Sequence, residues 1–280
     1  MLRARIFTAI VLLGVFLGAV FHLPPAGWLV GTSLVSALAF WEWGALMKRS
    51  PRERVIGATG AFAICLAFGL AFPSIFVVAP AGPDTAVTQA IGRWFYWPAA
   101  VFWLLVVPVW LNRRWSLSNR LLGYATGILV IFPFWGALTQ LRQFGGVWLL
   151  SVMVVVWLAD TAAYFTGRAF GRHKLAPAIS PGKTWEGAVG GGAAVVLYGI
   201  CVSSILPDVV RSSFPLLVIS LLVLAATSIV GDLFESLLKR QAGLKDSSNL
   251  LPGHGGVLDR IDSLTSTLPL VALIWFNVGF

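Results

Sequence analysis

FPLLVISLLVLAATSIVGDLFESLLKRQAGLKDSSNLLPGHGGVLDRID, residues Phe214–Asp262, joins an unbroken apolar run to the densest mixed charge in the chain. From Phe214 to Gly231 no side chain is ionisable. A helix of about 20 such residues spans a hydrocarbon core of about 30 Å. Asp232 and Glu235 then enter the pattern, so the helix is expected to continue past the hydrocarbon carrying functional groups. Lys239, Arg240, Lys245, Asp246, Asp259, Arg260 and Asp262 follow around a Pro-Gly-His-Gly-Gly turn.

The rest of the chain repeats the apolar half of this pattern. It is 58% hydrophobic and 11% charged, with a mean hydropathy of +0.86, well below the roughly 25% charged residues of soluble domains. The period-2 alternation of barrel strands is absent, so the backbone must satisfy itself within helices. We read an all-α, polytopic transmembrane helical bundle of about nine spans, at 5–22, 27–47, 55–72, 95–111, 121–139, 147–167, 187–206, 214–235 and 263–280. The first of these lacks an obvious small-x-small cleavage site and is read as a span, not a signal peptide.

Charge sets the orientation. Placing the N-terminus in the cytoplasm puts seventeen of the twenty Lys and Arg on that side, and only Arg93, Arg142 and Arg211 on the other. The net charge of +9 then forms a girdle facing anionic headgroups, worth about 1 kcal/mol per basic residue. That reading places the chain in the inner (cytoplasmic) membrane and expects no nucleic-acid partner. Cys65 and Cys201 lie in apolar spans and make no metal or disulfide framework. Trp28, Trp41, Trp94, Trp97, Trp115, Trp148 and Trp275 lie near proposed span ends, as an interfacial aromatic belt requires.

Residues 1–146 read as a transmembrane scaffold, and 147–280 as the catalytic transmembrane region with a cytoplasm-facing site. The first part holds only three acids, and the stretch 147–262 holds eight of the eleven. Glu42 is the exception in the scaffold, facing either the bundle interior or Lys48 at the interface. Pro73–Arg93 reads as an irregular linker. Asp160, late in the sixth span, costs about 2.5–3.5 kcal/mol to insert if central, so it faces a cavity or pairs with a cation such as Arg168. In APAISPGKTWE, 176–186, Pro181-Gly182 reads as a turn that aims Lys183 and helix-start N–H groups the same way, a plausible anion cradle that is not a Walker A loop. Gly187, Gly190, Gly191 and Gly192 follow at spacings that suit close helix packing.

Asp232, Glu235, Ser236 and Lys239 recur at three and four residues, sharing one helix face, and Asp259 and Asp262 repeat the spacing. Two carboxylate-bearing helix ends joined by a Gly-rich turn offer hard oxygen ligands that suit Mg²⁺ with substrate phosphates. His254 is read as a phosphate contact or turn element ahead of a metal ligand.

Ser236, Lys239, Arg240, Lys245, Asp246, Ser248, Pro252, His254, Gly255, Gly256, Asp259, Arg260 and Asp262, at these spacings, resemble the signature of the phosphatidate cytidylyltransferases, the CDP-diacylglycerol synthases. Asp160, Ser180–Gly187 and Gly231–Ser236 are similar to that family's upstream pattern. The likeness is specific over about residues 157–265. It implies transfer of CMP from CTP to phosphatidic acid at the lipid bilayer, a homodimer, Mg²⁺, and a monovalent cation such as K⁺ beside it. It also implies Asp232 and Asp259 as metal ligands, with Asp160 and Asp246 as further candidates. The expected catalytic set is Asp232, Asp259, Lys239 and Arg260, and the expected substrate contacts are Lys183, Ser236, Arg240, Lys245, Asp246 and His254.

The residues suit that chemistry independently. A lipid phosphate is already an anionic nucleophile, so the difficulty is repulsion between two polyanions, which cations and basic side chains relieve. Related lipid-nucleotide transferases and isoprenoid kinases are the nearest enzyme rivals. The paired DGxxAR and GxxxDxxxD pattern of CDP-alcohol phosphotransferases is missing. A transporter is disfavoured because no internal repeat is visible and charge crowds one end of one half.

Overall fold

A computed structural model describes residues 2–76, 94–203 and 213–278. Nine long helices occur among the described residues: α1 (Leu2–His22), α2 (Pro25–Leu46), α3 (Pro51–Ala71), α4 (Trp94–Arg113), α5 (Arg120–Leu141), α6 (Gly146–Phe170), α7 (Trp185–Cys201), α8 (Phe214–Ala242) and α9 (Leu258–Val278). Six of them, α2, α3, α4, α5, α6 and α8, are long and apolar enough to cross a membrane. The protein is therefore an all-α membrane protein, with one small sheet among the described residues. Most of the expected 73–93 linker, and the basic residues Arg93 and Arg211, lie outside the described residues.

Helix boundaries follow local chemistry. Ser50 and Glu53 form a reciprocal capping box around Pro51 at the start of α3, satisfying donors the helix cannot. The Asn119 side chain accepts from Leu122 N–H at 3.1 Å to start α5. At the far end of α1, Arg142 donates to the carbonyls of Val20 (2.9 Å) and Leu23, covering orphan acceptors of that terminus. Within α4 the chain opens into a π-turn at Phe102–Val106, just before Pro108, whose ring lacks an N–H and crowds the carbonyl four residues back.

The chain forms two compact units, neither contiguous in sequence. The first comprises Met1–Ile91, Ser116–Gly146 and Leu238–Ile261. Its core joins α2 to α5: Trp43 Nε1 donates to Gly123 O at 3.0 Å, Trp135 Nε1 to Ser33 Oγ at 3.1 Å, and the Thr32 and Thr139 hydroxyls meet at 3.0 Å. Such pairing is needed where polar groups are buried away from water.

The second unit comprises Gly92–Trp115, Val147–Leu237 and Asp262–Phe280. Phe234 of α8 is packed edge-on by Phe102, Trp103 and Trp110 of α4, with centroids 5.4–5.8 Å away. The glycines of α7 serve close packing, as their spacing suggests. A Cβ at Gly187 or Gly191 would approach the carbonyl oxygens of Ala163 or Ala159 to 2.7 Å, so α6 and α7 touch backbone to backbone. Along α9 the Ser263 and Ser266 hydroxyls donate to the Ser228 and Thr227 carbonyls at 3.2 and 2.9 Å.

Two expectations need correction. Trp28, Trp148 and Trp275 are buried packing residues, with Trp148 and Trp275 ring centroids 3.9 Å apart; Trp94, Trp97 and Trp115 are the exposed ones. Pro181-Gly182 is not a turn. It lies in β2 (Ser180–Thr184), which pairs antiparallel with β1 (Lys174–Ala176), and the turn falls at 177–179. A two-stranded ribbon has only edge strands, so it tolerates a proline that donates no ladder hydrogen bond.

Candidate functional site

In the first unit the 243–258 loop is organised around Asp259, in the first turn of α9. Its Oδ2 accepts from Gly256 N–H at 2.7 Å, Ser247 N–H at 2.8 Å and Ser247 Oγ at 2.8 Å. Its Oδ1 meets the Lys239 ammonium at 2.6 Å, with 12% of the lysine and 4% of the aspartate side chain exposed. Burial pushes this carboxyl up, but the hydrogen bonds from Lys239, Gly256 and Ser247 outweigh it and hold it below the ordinary aspartate value. Gly255 makes the arrangement possible: its φ is +81°, and a Cβ would come 2.7 Å from the Asp259 carboxylate.

The same loop folds back through Leu251 N–H to Gly255 O at 2.8 Å and His254 N–H to Leu251 O at 2.8 Å. It encloses a polar cleft of about 480 Å³ lined by Lys245, Asp246, Asn249, His254 and Arg260, among others. Four of the sequence-predicted site residues, Lys245, Asp246, His254 and Arg260, therefore share one wall. Arg240 stands exposed on the last turns of α8. Two cationic side chains, an imidazole and glycine main chain around one cleft suit a phosphate-rich ligand.

In the second unit the hairpin carries Lys183 to Asp232. Their ion pair is 2.6 Å, with 21% and 30% of the side chains exposed, and Ser236 Oγ donates to the other Asp232 oxygen at 3.1 Å. The latter bond bears out the shared helix face read from the spacing of four. Asp160 lies within electrostatic range of both Lys183 and Asp232, and Ser263 Oγ is 3.5 Å from its Oδ2. Its cationic neighbour is thus Lys183, not Arg168, which donates to Tyr164 at 3.4 Å.

The hairpin is held at its base by Glu186. Both its oxygens accept from His173 N–H at 3.2 Å, and one meets His173 Nδ1 at 2.6 Å. The Thr184 hydroxyl accepts from Gly187 N–H at 3.1 Å as the N-cap of α7. Glu186, outside the apolar span, is held at about 2 by its own main-chain N–H, the His173 ring and the main-chain N–H groups of His173 and Arg172, against burial.

Among the described residues no three His, Cys, Asp or Glu side chains converge as a metal cage. The Asp160 and Asp232 pair is nevertheless a hard-oxygen donor set of the size Mg²⁺ typically takes from protein, the rest coming from water and substrate phosphate.

Glu42 is the residue whose role the sequence left open. It is fully buried and bonded into the 247–258 loop, more than two hundred residues away, and not to Lys48. The one available signal was an acid inside an apolar span.

The chain matches the cytidylyltransferase family over residues 3–277. A Pseudomonas aeruginosa protein named phosphatidate cytidylyltransferase is 39% identical to it, over all of this chain and 99% of its own length. A Haemophilus influenzae protein of that name is 34% identical, over 99% and 100%. A Brucella suis protein of that name is 49% identical over 132 residues, 47% of this chain and 48% of its own.

Proposed function

This chain belongs to the cytidylyltransferase family and is a nucleotidyltransferase, and from that premise we propose that it transfers CMP from CTP to phosphatidic acid, giving CDP-diacylglycerol and pyrophosphate. The observation that carries this reading is the full-length likeness to two bacterial proteins named for that activity. A lipid phosphate oxygen forms a new bond to the α-phosphorus of CTP. The bridging bond to the β-phosphate breaks, and its electron pair leaves with pyrophosphate.

The side chains divide the electrostatic work. Lys245, His254 and Arg260, in one cleft with Asp246, bind and orient phosphates, with Arg240 close by in sequence. Lys183 and Lys239 each rest on a carboxylate, so each ammonium is pre-oriented and can transfer its hydrogen bond to an incoming phosphate. Ser236 fixes one Asp232 oxygen. Asp259 has its Oδ2 saturated by the loop, leaving Oδ1, on Lys239, as the oxygen to engage a cation.

Asp232 and Asp259 are the proposed Mg²⁺ ligands, with Asp160 and Asp246 as further oxygen donors. The ion, when bound, neutralises phosphate charge and aligns the displacement; the family resemblance adds K⁺ beside it. The same resemblance supports a homodimer, and the basic-residue asymmetry supports nine crossings, a cytoplasmic N-terminus and a site facing the cytoplasm at the inner membrane.

The test is pyrophosphate release by the purified chain with CTP, phosphatidic acid and Mg²⁺, against omission of each. All three should be required, and CDP-diacylglycerol should appear in equal amount. Release without phosphatidic acid, or equal use of ATP, refutes the assignment.

A further inference from the structure

We propose that Glu42, on the scaffold helix α2, is a positioning residue for cytidylyl transfer: it fixes the 247–258 loop and, through Ser247, the carboxylate of Asp259. The role rests on the functional reading above; the anchoring rests on geometry alone. The Glu42 side chain is fully buried, and four donors reach its two oxygens, the single Ser247 hydroxyl proton being shared with Asp259 Oδ2. Oε1 takes Ser248 Oγ at 2.6 Å and Val257 N–H at 2.9 Å; Oε2 takes Ser247 Oγ at 3.1 Å and Leu258 N–H at 2.6 Å.

Each partner matters to the site. Val257 and Leu258 are the first donors of α9, so a carboxylate from a distant helix serves as that helix's N-terminal acceptor and complements its dipole. Ser247 Oγ lies between Glu42 Oε2 and Asp259 Oδ2, at 3.1 and 2.8 Å. Gly256 clears the way, because a Cβ there would run into both the Ser247 hydroxyl and the Glu42 carboxylate. Arg54, bonded to Trp41 O at 3.1 Å and stacked on the Trp41 ring, is a cation in electrostatic range of Glu42.

Each oxygen faces one hydroxyl and one main-chain N–H, so Glu42→Gln meets a main-chain donor with its own NH₂ in either flip. Outer residues that orient metal ligands typically carry about 10–100-fold of metal affinity or activity. In purified full-length E42Q, kcat for pyrophosphate release should fall about tenfold or more, and half-saturating Mg²⁺ should rise several-fold. KM for phosphatidic acid should stay within about twofold.

Amide exchange of the 245–258 segment should accelerate in E42Q while α5 and α6 exchange as in wild type. A merely structural defect lowers the active fraction without moving half-saturating Mg²⁺. If E42Q does not accumulate, Ser248→Ala carries the same readouts with smaller shifts. Unchanged Mg²⁺ dependence overturns the positioning role, and unchanged exchange overturns the anchoring. Wild-type protein without CTP-dependent turnover refutes the functional reading instead, and the exchange measurement then decides the anchoring by itself.

Discussion

The Lys239 ammonium stands 2.6 Å from Asp259 Oδ1 in a setting nearly closed to water, whereas the Lys183 pair with Asp232, equally short, remains about a quarter exposed. Burial decides what each pair contributes. A buried pair is costly to break because desolvated charge is left behind, while water reaching a partly exposed pair offsets part of that cost.

Asp259→Asn should therefore destabilise the protein as well as abolish turnover. Whichever way the amide lies, its NH₂ meets either the Lys239 ammonium or the three donors on Oδ2. A loss of about 3 kcal/mol is expected, read as a lowered unfolding midpoint in detergent. A midpoint equal to wild type contradicts it.

Asp232→Asn and Lys183→Met should separate stability from function. Both should lose less stability than D259N, read as smaller drops in unfolding midpoint, and still lose incorporation of radiolabelled CTP into lipid. Retained activity in D232N would remove Asp232 from the reaction.

Gly255→Ala should cost about 1–2 kcal/mol through its left-handed backbone alone, and more through collision with Asp259. Gly182→Ala has open space around its new methyl and should stay within about 0.5 kcal/mol. Comparing the two unfolding midpoints, with turnover lost only in G255A, checks both.

Acid should weaken the fold. Asp259 and Glu186 both titrate lower in the folded protein than the ordinary 3.8 and 4.5, Glu186 at about 2. Their contributions are complete above the unfolded values and disappear as pH falls through the folded ones, between about pH 5 and pH 2. Unfolding midpoints should drop across that window, and less steeply in Glu186→Gln. A slope identical in E186Q and wild type counts against the Glu186 share.

Much of the local chemistry was legible along the chain. Spacing of three and four put Asp232 and Ser236 on one helix face, and the two side chains do bond. The glycine run of α7 announced close packing, since only a missing side chain lets backbones approach. The β-hairpin was not legible, because its two strands are three and five residues long and contain a Pro-Gly pair that reads as a turn. Nor were the partners of Asp160 and Glu42, which lie 23 and more than two hundred residues away.

Composition and periodicity by themselves determined that this chain is helical and lives in lipid, because a backbone without water has few ways to satisfy its polar groups. They also set which short stretches hold acids and bases together. Tertiary structure alone decided which charge meets which. A carboxylate's role depends on the donors that reach it through space, and folding brings Glu42 to a loop that the sequence places at the other end of the chain.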